Sequence, residues 1–554
     1  MSSFNLGVIN EAIADAIPDR EALVTATHRL TWRDVQLRSR RLANLLRARG
    51  LGCHTERAGL APWESGQDHL ALYLYNGHEY LEGMLGAYKA RVAPFNVNYR
   101  YVAEELLYVL RDARTRAIVY HATFAPLLRE VLPKLPEMAL LLQVEDGSGE
   151  ALLPGALEYE QALAGSSDAP PDCTPSADDL YILYTGGTTG MPKGVLWRQE
   201  DIFFAALGGK ILGGPEVASL DELVERCKAG AELRSLPAPP FMHGAAHWAG
   251  FIMWHSGGTI VLQRNTRTLD PDDVWTTIER ERIVTLSIVG DAFARPLLDQ
   301  LQRKKYDLSA LKVLGSGGAI LSPPMKRAFL EAIPGLIIFD GFGSSETGAQ
   351  GSTVSMAGME AAPGAFKMDD HTCVLDAELT RRLEPGEEAM GWVARAGRVP
   401  LGYLGDEAKT RKTYPEVGGV RYAVPGDRGQ VAADGTIKVF GRDSVCINSG
   451  GEKIFAEEVE QALKHHPAVY DVIVTGTPNA RWGEQVTALV QLRPGTSAAD
   501  EELREAAASQ IARYKLPKAF VFVDALVRAP SGKPDYRWAK ETATRALGGA
   551  AAGA

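Results

Sequence analysis

Residues 184–195 read YTGGTTGMPKGV, a glycine- and threonine-rich stretch with a single lysine, Lys193. Glycine lets a backbone approach a ligand closely, and consecutive exposed N–H groups can form a concavity that binds an anion. The stretch follows DDLYILY at residues 178–184, an apolar run typical of a buried strand. Strand, glycine turn and lysine together predict a phosphate-binding loop rather than a flexible surface loop, although the Walker A pattern G-x-x-x-x-G-K-[ST] does not fit.

The composition of the 554-residue chain limits the class of protein. It has 45% hydrophobic and 23% charged residues and a formal net charge of −10, which disfavours a nucleic-acid partner because such proteins present a basic face. Five scattered cysteines without a C-x-x-C pair are typical of a reducing compartment. No apolar window reaches the length of a membrane span. We therefore expect a cytoplasmic protein without an integral membrane segment.

The order of apolar runs predicts the fold class. Strand-like runs alternate with helix-favouring stretches, which indicates an α/β fold of layered β-sheets covered by helices. Beyond residue 386 the strands are punctuated by glycine, and Asp434-Gly435 predicts a hairpin turn. From residue 442 a compact α+β pattern follows. We expect a large N-terminal domain over residues 1–441 and a small mobile C-terminal domain over residues 442–554.

Two further glycine clusters are GSGGAI at residues 315–320 and GFGSSETG at residues 341–348. Neither completes the dinucleotide pattern G-x-G-x-x-G, because Ile320 and Glu346 stand in place of the third glycine. In the second cluster an aromatic ring could cover a purine, a hydroxyl could bind phosphate, and Glu346 could bind a hard cation such as Mg²⁺. Each of these residues alone is more often structural.

Six motifs occur in one order along nearly the whole chain: YTGGTTGMPKGV, APPFMHG, GFGSSETG, VPGDRG, GRDSVCINSGGEKI and PSGKPDY. Together they resemble the adenylate-forming superfamily of acyl-CoA synthetases, luciferases and peptide-synthetase adenylation domains. The chain looks most like bacterial synthetases for long-chain fatty acids or the carboxylated side chains of steroids. The resemblance implies that the protein uses ATP, Mg²⁺ and CoA to convert a carboxylic acid to an acyl-adenylate and then to an acyl-CoA.

The resemblance also implies a set of nucleotide-binding residues. Asp340 would face the adenine amino group, Phe342 would stack on the ring in place of the usual tyrosine, and Asp427 would bind the ribose hydroxyls. Glu346 and Thr185 would bind Mg²⁺. The expected cofactor-binding residues are Thr185, Gly186, Gly187, Thr188, Thr189, Lys193, Gly317, Gly318, Ala319, Asp340, Gly341, Phe342, Gly343, Ser345, Asp427, Arg442, Gly450, Gly451 and Lys453.

Lys533, Glu346 and His243 are the expected catalytic residues by the same resemblance. The reaction brings a carboxylate to the α-phosphate of ATP, and a lysine that reaches both anions would stabilise the developing charge. His243 would lie at the mouth of the acyl pocket. A zinc site at His243 and His247 is disfavoured because no third ligand follows and the glutamate of H-E-x-x-H is absent. Ser444 stands where the family usually has an Asp or Lys hinge residue.

The acyl pocket is expected along FMHGAAHWAGF, LSIVGDAF and GSGGAI. Large apolar side chains with glycines between them predict a deep hydrophobic tunnel, although about half of these side chains are expected to be core. A medium- or long-chain or bulky alicyclic acid would suit such a tunnel. The expected wall residues are Phe241, Met242, Trp248, Phe251, Ile288, Val289 and Phe293, with Gly244, Gly250 and Gly290 between them.

Other functions stay open at this point. An amino- or aryl-acid adenylating enzyme that feeds a carrier protein usually has an aspartate where this chain has Met242-His243. A non-catalytic acyl- or nucleotide-binding homologue is disfavoured, because it would be expected to lack at least one of Lys533, Glu346, Asp427 and Arg442. A luciferase-like oxidase would share the first half-reaction. The acid and the oligomeric state, for which a homodimer is considered, do not follow from the sequence.

Overall fold

The computed structural model describes residues 4–187, 190–210, 214–230, 233–359, 365–449, 452–479, 482–529 and 532–551. Thr188, Thr189, Gly450 and Gly451 lie outside the described residues. No helix in the described ranges is both long and apolar enough to cross a membrane.

The helices follow the predicted alternation with strands. Their bounds are α1 Leu6–Ala16, α2 Trp32–Ala48, α3 His78–Lys89, α4 Ala103–Asp112, α5 Ala125–Val131, α6 Tyr159–Ala164, α7 Gln199–Ala206, α8 Leu220–Ala229, α9 Gly244–Trp254, α10 Pro271–Glu281, α11 Gly290–Arg303, α12 Pro323–Ala332, α13 Glu407–Thr413, α14 Ala456–Leu463, α15 Asp500–Ala508 and α16 Tyr536–Ala551. Short 3-10 helices lie at Arg57–Gly59, Ala122–Phe124, Leu132–Lys134, Asp443–Val445 and Arg513–Lys515.

The strands are mostly short. Their bounds are β1 Glu21–Val24, β2 Arg29–Thr31, β3 His69–Tyr73, β4 Ala93–Asn96, β5 Thr115–His121, β6 Leu140–Val144, β7 Leu157–Glu158, β8 Leu180–Gly187, β9 Gly190–Arg198, β10 Arg234–Pro237, β11 Thr259–Val261, β12 Thr285–Ile288, β13 Val313–Gly317, β14 Ile337–Ser344, β15 Gly348–Ser355, β16 Ala365–Met368, β17 Thr372–Leu375, β18 Gly391–Arg395, β19 Gly402–Tyr403, β20 Glu416–Val417, β21 Val420–Arg421, β22 Asp427–Val431, β23 Ile437–Arg442, β24 Cys446–Ser449, β25 Glu452–Phe455, β26 Val469–Asn479, β27 Gly483–Leu492 and β28 Ala519–Phe522.

The largest sheet in the described chain has 13 strands in the order β17-β18-β22-β23-β16-β15-β14-β13-β12-β10-β11-β1-β2. The run from β14 through β13, β12, β10 and β11 to β1 is parallel, and β14 pairs antiparallel with β15. Parallel strands carry their carboxyl ends at one edge, and the register places Gly317 opposite Gly341 there. The second and third glycine clusters of the sequence therefore lie side by side.

A second, five-stranded parallel sheet has the order β4-β3-β5-β6-β7. All five residues of β3 are buried, as expected for a strand covered on both faces. The glycine-rich stretch at residues 184–195 belongs to an antiparallel hairpin of β8 and β9, and β19 pairs with β9. The predicted strand over residues 178–184 is thus confirmed, and it continues into the glycines.

The C-terminal region forms its own sheet, with β25-β24-β27-β26 in order and β28 beside β27. Helices α14 and α16 pack on β26, and Val459, Val472 and Leu503 belong to one buried cluster. Asp434 and Gly435 form the predicted turn between β22 and β23, where the Asp434 carboxylate accepts the Thr436 N–H. The α/β architecture with a smaller α+β part is confirmed. The boundary after residue 441 stays a prediction and falls at the end of β23.

Candidate active site

A cleft of about 2240 Å³ opens at the carboxyl edge of the large sheet. Its lining includes the glycine clusters in β13 and β14, one side of α9, and the loop before α16 that carries Lys533. The cleft is therefore enclosed by both the large sheet and the C-terminal region. Ser444, in the short 3-10 helix between β23 and β24, also lines it.

Four of the predicted site residues form one charged cluster around this cleft. Asp427 begins β22 and Arg442 ends β23, and the register sets them opposite each other with Arg442 Nε 3.6 Å from Asp427 Oδ1. Glu346 lies in the turn between β14 and β15, which is held by the Thr347 hydroxyl accepting the Ser344 N–H at 3.0 Å. Lys533 lies close enough for Arg442, Glu346 and Asp427 all to act on its pKa.

The cluster perturbs the protonation of its members. Lys533 lines the cleft, and its side chain is exposed to solvent there; crowding by the surrounding protein and then the charge of Arg442 lower its pKa below that of a free lysine. Burial raises the pKa of Asp427. Burial, Glu460 and Asp427 raise the pKa of Glu457 to about 8, and this carboxyl group packs against Gly441. A bound anion beside Lys533 would stabilise its charged form.

Glu346 is fixed by a hydrogen bond that the sequence did not indicate. The Tyr403 hydroxyl donates to Glu346 Oε1 at 2.9 Å, and both residues are buried, with 7% exposure for Glu346 and 2% for Tyr403. Tyr403 is held by β19, which pairs with Val195 of the glycine-rich hairpin. This contact orients the carboxylate and leaves its second oxygen available.

The donor set fits a magnesium ion that arrives with phosphates. Mg²⁺ prefers hard oxygen ligands and is commonly held by one or two carboxylates together with substrate phosphates. Glu346 offers a carboxylate oxygen, and the Thr185 side chain lies on the cleft wall. Within the described ranges no group of three or more His, Cys, Asp or Glu side chains could hold a metal ion. A metal held mainly by a nucleotide is consistent with both observations.

His243 lies on the same cleft, at the N-cap of α9. Its Nε2 atom is buried and has no hydrogen-bond partner in the described structure. Burial, followed by the nearby charge of Lys533, lowers the pKa of His243 to about 3, so the ring is neutral at neutral pH. A buried polar atom without a partner is costly, which indicates that a ligand or water completes this site.

His247 does not pair with His243 as a metal ligand. Its Nδ1 atom donates to the Phe241 carbonyl at 2.7 Å, so the neutral ring accepts the Tyr181 hydroxyl at Nε2. The Tyr181 oxygen accepts the Trp248 indole N–H at 2.8 Å. This chain of hydrogen bonds fixes the Trp248 ring on the cleft wall.

The residues expected near adenine lie on β14 and directly after it. Phe342 lines the cleft and lies beside Phe366, with 5.3 Å between ring centroids. Asp340 is buried, and its Oδ2 atom is 2.8 Å from Lys326 Nζ, although burial raises the pKa of this carboxyl group. Lys326 is a partner that sequence patterns did not single out. Ser345 lines the cleft.

Two predicted lysines lie apart from the charged cluster. Lys193 forms an ion pair with Asp406 at 3.0 Å, and this hydrogen bond raises its pKa although burial opposes the rise. Lys453 is exposed and lies 3.1 Å from Asp443. Gly317, Gly318, Gly341 and Gly343 line the cleft, whereas Ala319 contributes to a core cluster beside it. Gly186 and Gly187 end β8 at the hairpin tip.

The apolar wall of the cleft is only partly the expected one. The expected residues that line it are Met242, Gly244, Trp248, Ile288 and Val289. Those that are instead buried in the hydrophobic core are Phe241, Phe251 and Phe293. Helix α7, which the sequence did not indicate, adds Phe204, Ala205 and Ala206. An apolar helix pattern does not reveal which buried residue faces a cavity.

The floor of the cleft consists of small and hydroxylated residues on one face of the sheet. Gly315 pairs with Ser287, Ser235 pairs with Thr285, and all four line the cleft. A Cβ atom at Gly315 would meet nothing closer than Ser287 Oγ at 3.7 Å. The cleft therefore continues past the charged cluster into space that a long or bulky ligand could fill.

Comparison with known families agrees with the motif analysis. Residues 11–404 match the AMP-binding enzyme family, and residues 458–533 match the AMP-binding enzyme C-terminal domain. The medium-chain acyl-CoA ligase Mig of Mycobacterium avium is 51% identical over 543 residues, covering 98% of each chain. The 3-oxocholest-4-en-26-oate–CoA ligase of Rhodococcus rhodochrous is 42% identical, covering 97% of this chain and 96% of that protein.

The fold has solved relatives. The crystal structure of ATP-bound MatB from Rhodopseudomonas palustris superposes with a TM-score of 0.80 at 24% identity, covering 98% of this chain and 99% of that one. At this identity the likeness concerns the fold alone. The resemblance drawn from the six sequence motifs is confirmed by the family matches over both parts of the chain. The chain belongs to the AMP-binding enzyme family.

Proposed function

We propose that this protein is an ATP-dependent acid:CoA ligase. It converts a carboxylic acid and ATP to an acyl-adenylate and pyrophosphate, and then transfers the acyl group to CoA with release of AMP. The observation that carries the proposal is the position of Lys533, which faces the same cleft as His243 and lies within electrostatic reach of Glu346 and Asp427. The activities for which the relatives from Mycobacterium avium and Rhodococcus rhodochrous are named support the same class of reaction.

In the first half-reaction a carboxylate oxygen attacks the α-phosphorus of ATP. The new O–P bond forms as the bond to pyrophosphate breaks, and negative charge grows on the phosphoryl oxygens. Lys533 offsets this charge from a fixed position, which is the most effective form of electrostatic catalysis. Asp427 would bind the ribose hydroxyls and Arg442 the ribose or a phosphate, while neutral His243 would hydrogen-bond near the acid. Mg²⁺, held by Glu346 with Thr185, would neutralise phosphate charge.

In the second half-reaction the CoA sulfur attacks the carbonyl carbon of the acyl-adenylate. The C–S bond forms, the C–O bond to AMP breaks, and AMP carries away the electron pair. The thiol would need to reach a carbon beside which Lys533 lies in the proposed first half-reaction, so the small C-terminal domain after residue 441 would turn between the two steps. Ser444 lies in the short segment that joins the two sheets and is the proposed hinge.

The acid is proposed to be a medium- or long-chain fatty acid or a bulky alicyclic acid such as a steroid side-chain acid. The long cleft, whose floor consists of small residues and is open at Gly315, supports a large acyl group. Each buried methylene contributes about 0.8 kcal/mol, so a long cleft discriminates strongly against short acids. The names of the two relatives cover both kinds of acid.

We also propose a cytoplasmic location, which the free state of the five cysteines supports. A homodimer stays a prediction that light scattering can check. Pyrophosphate release across a panel of carboxylic acids tests the proposed class of reaction. CoA and a carrier protein should be compared as acyl acceptors, since a carrier-dependent enzyme would form a thioester only with the latter.

Lys533→Ala should abolish the first half-reaction and spare the second. We expect pyrophosphate exchange to fall on the order of 10²–10³-fold, as for loss of one preorganised electrostatic group. Thioester formation from supplied acyl-adenylate should be largely unchanged. Equal loss of both half-reactions in a folded variant would show that Lys533 does not act specifically in the first half-reaction.

The rate of the first half-reaction should fall at alkaline pH as Lys533 loses its proton. Its surroundings in the cleft and the charge of Arg442 lower its pKa, so Lys533 should lose its proton, and kcat/KM should fall, at a pH below the ordinary lysine pKa of about 10.4. Saturating ATP should shift this fall to a higher pH in kcat, because phosphate favours the charged form. The residual activity of Lys533→Arg should not fall at the same alkaline pH. An unchanged alkaline fall in this variant would show that another group causes it.

Tyr403→Phe should weaken the first half-reaction through Glu346. A hydrogen bond to a charged group is worth about 1.5–3 kcal/mol, so we expect a roughly ten- to hundredfold lower rate and a higher Mg²⁺ requirement. Tyr414→Phe is the matched control, because its ring lies 6.0 Å from that of Tyr403 and its buried hydroxyl has no partner in the described structure. An unchanged Mg²⁺ titration in Tyr403→Phe would contradict the role of this contact.

The wild-type protein should prefer medium-to-long or alicyclic acids over acetate and propionate by at least roughly a hundredfold in kcat/KM. Gly315→Leu should fill the open floor and reduce that preference at least roughly tenfold. The rate with the shortest active acid is the internal control and should be kept. A wild-type preference for acetate or a free amino acid, or unaltered selectivity in Gly315→Leu, would show that the acyl group lies elsewhere.

A further inference from the structure

One face of α11 contacts the C-terminal region through three charged residues spaced four apart. Asp291, Arg295 and Asp299 share a helix face because side chains at i and i+4 lie one above the other. Asp291 Oδ2 is 3.1 Å from Lys464 Nζ at the end of α14. Arg295 lies over the Tyr470 ring at 5.5 Å, and the Tyr470 hydroxyl donates to Asp299 at 3.4 Å.

The contact between Asp291 and Lys464 is deeply buried. The side chain of Asp291 is 2% exposed and that of Lys464 is 4% exposed. Asp291 Oδ2 accepts no hydrogen bond in the described structure, so its charge is compensated through ion pairing with Lys464 and, at 3.6 Å, Arg295. Removal of one partner from such a pair leaves an uncompensated buried charge and is costly.

A chain of contacts leads from Lys464 to the loop of Lys533. Lys464 also lies 3.6 Å from Asp471, and Asp471 accepts two hydrogen bonds from Arg528, at 2.7 and 2.9 Å. Arg528 Nη1 donates to the Gly532 carbonyl at 3.1 Å, directly before Lys533. The charge on Asp291 is therefore connected to the backbone that carries the lysine.

The same loop docks closely on the start of α11. Gly532 has a φ of 74°, and a Cβ atom there would lie 3.0 Å from the Val289 carbonyl oxygen and 3.3 Å from Ala292 Cβ. Val289 itself lines the cleft. The segment before Lys533 thus packs against the wall of the cleft into which the lysine points.

We propose that Asp291 and Lys464 are positioning residues for the first half-reaction, which hold Lys533 over the cleft by docking the C-terminal region on α11. This inference rests on the proposed ligase function and adds residues that touch no substrate. When the C-terminal region turns for the second half-reaction, the Asp291–Lys464 contact is broken. Its loss should therefore affect one half-reaction and not the other.

Asp291→Asn is the sharpest test. The substitution removes the charge that faces Lys464 but keeps an oxygen to accept the Ser322 N–H, which Asp291 Oδ1 accepts at 2.8 Å. We expect pyrophosphate exchange to fall at least roughly tenfold, and acyl-CoA formation from supplied acyl-adenylate to be unchanged or faster. Lys464→Met should give the same split, and the double variant should be no slower than the slower single variant, because both remove one contact.

Lys515→Met is the matched control. Lys515 forms an ion pair with Glu458 at 2.7 Å within the C-terminal region, so it tests loss of a lysine charge without loss of docking. Both half-reactions should stay within about twofold of wild type. If Lys464→Met does not fold because Asp471 loses a partner, Asp291→Asn alone decides.

Two outcomes overturn the inference. Either both half-reactions of Asp291→Asn fall together, which indicates a general structural role, or pyrophosphate exchange is unchanged. A wild-type protein that releases no pyrophosphate with any acid would instead refute the proposed function. If the wild-type protein is active but Asp291→Asn does not affect the two half-reactions differently, only the positioning role is refuted.

Discussion

The charge of Lys533, placed in a cleft beside Glu346, Asp427 and Glu457, is the constraint on which the site depends. A carboxylate and an ATP phosphate repel each other, so a cation must lie close to both to offset their charge. The Lys533 side chain is exposed to solvent in the open cleft, although the crowded surroundings and Arg442 lower its pKa. Neighbouring carboxylates stabilise the charged form of Lys533, but a direct ion pair with one of them would occupy the ammonium group. Within the described residues no Glu or Asp oxygen lies within 4 Å of Lys533 Nζ. Under the proposed function, this arrangement leaves Lys533 able to bind the reacting anions.

The fold meets this constraint by building the site from separate pieces. The carboxyl edge of the large sheet provides the backbone floor, because Gly317 and Gly341 lie side by side without side chains to fill the cleft. The β22–β23 hairpin fixes Asp427 opposite Arg442, and β19 brings Tyr403 to Glu346. The lysine comes from the C-terminal region, which contacts α11 through Lys464 and Tyr470. We propose that such a division lets Lys533 move away between the two half-reactions, since it lies in the loop between β28 and α16.

Much of this arrangement could be predicted from the sequence, and the remainder could not for a physical reason. Local patterns fixed the strand before the glycine-rich stretch, the Asp434-Gly435 turn and the α/β class, because each depends on neighbouring residues. The motifs identified the family and named the residues of the charged cluster. Tyr403 and Glu346 are 57 positions apart, and neither Lys326 nor Asp291 lies in a recognisable pattern, so their contacts appear only when the sheets are assembled. The apolar wall was half predicted because hydrophobicity reports burial and not which side of a helix faces a cavity.

The central claim is that the acid is activated by direct bonding of its oxygen to the α-phosphorus of ATP. The most direct measurement supplies an acid whose carboxylate carries a heavy oxygen isotope, together with ATP and CoA, and determines the label in the nucleotide product by mass spectrometry. The account predicts that AMP is formed and that its phosphoryl group carries one labelled oxygen from the acid. Formation of ADP with label in inorganic phosphate, or formation of unlabelled AMP alongside the acyl-CoA, would contradict it.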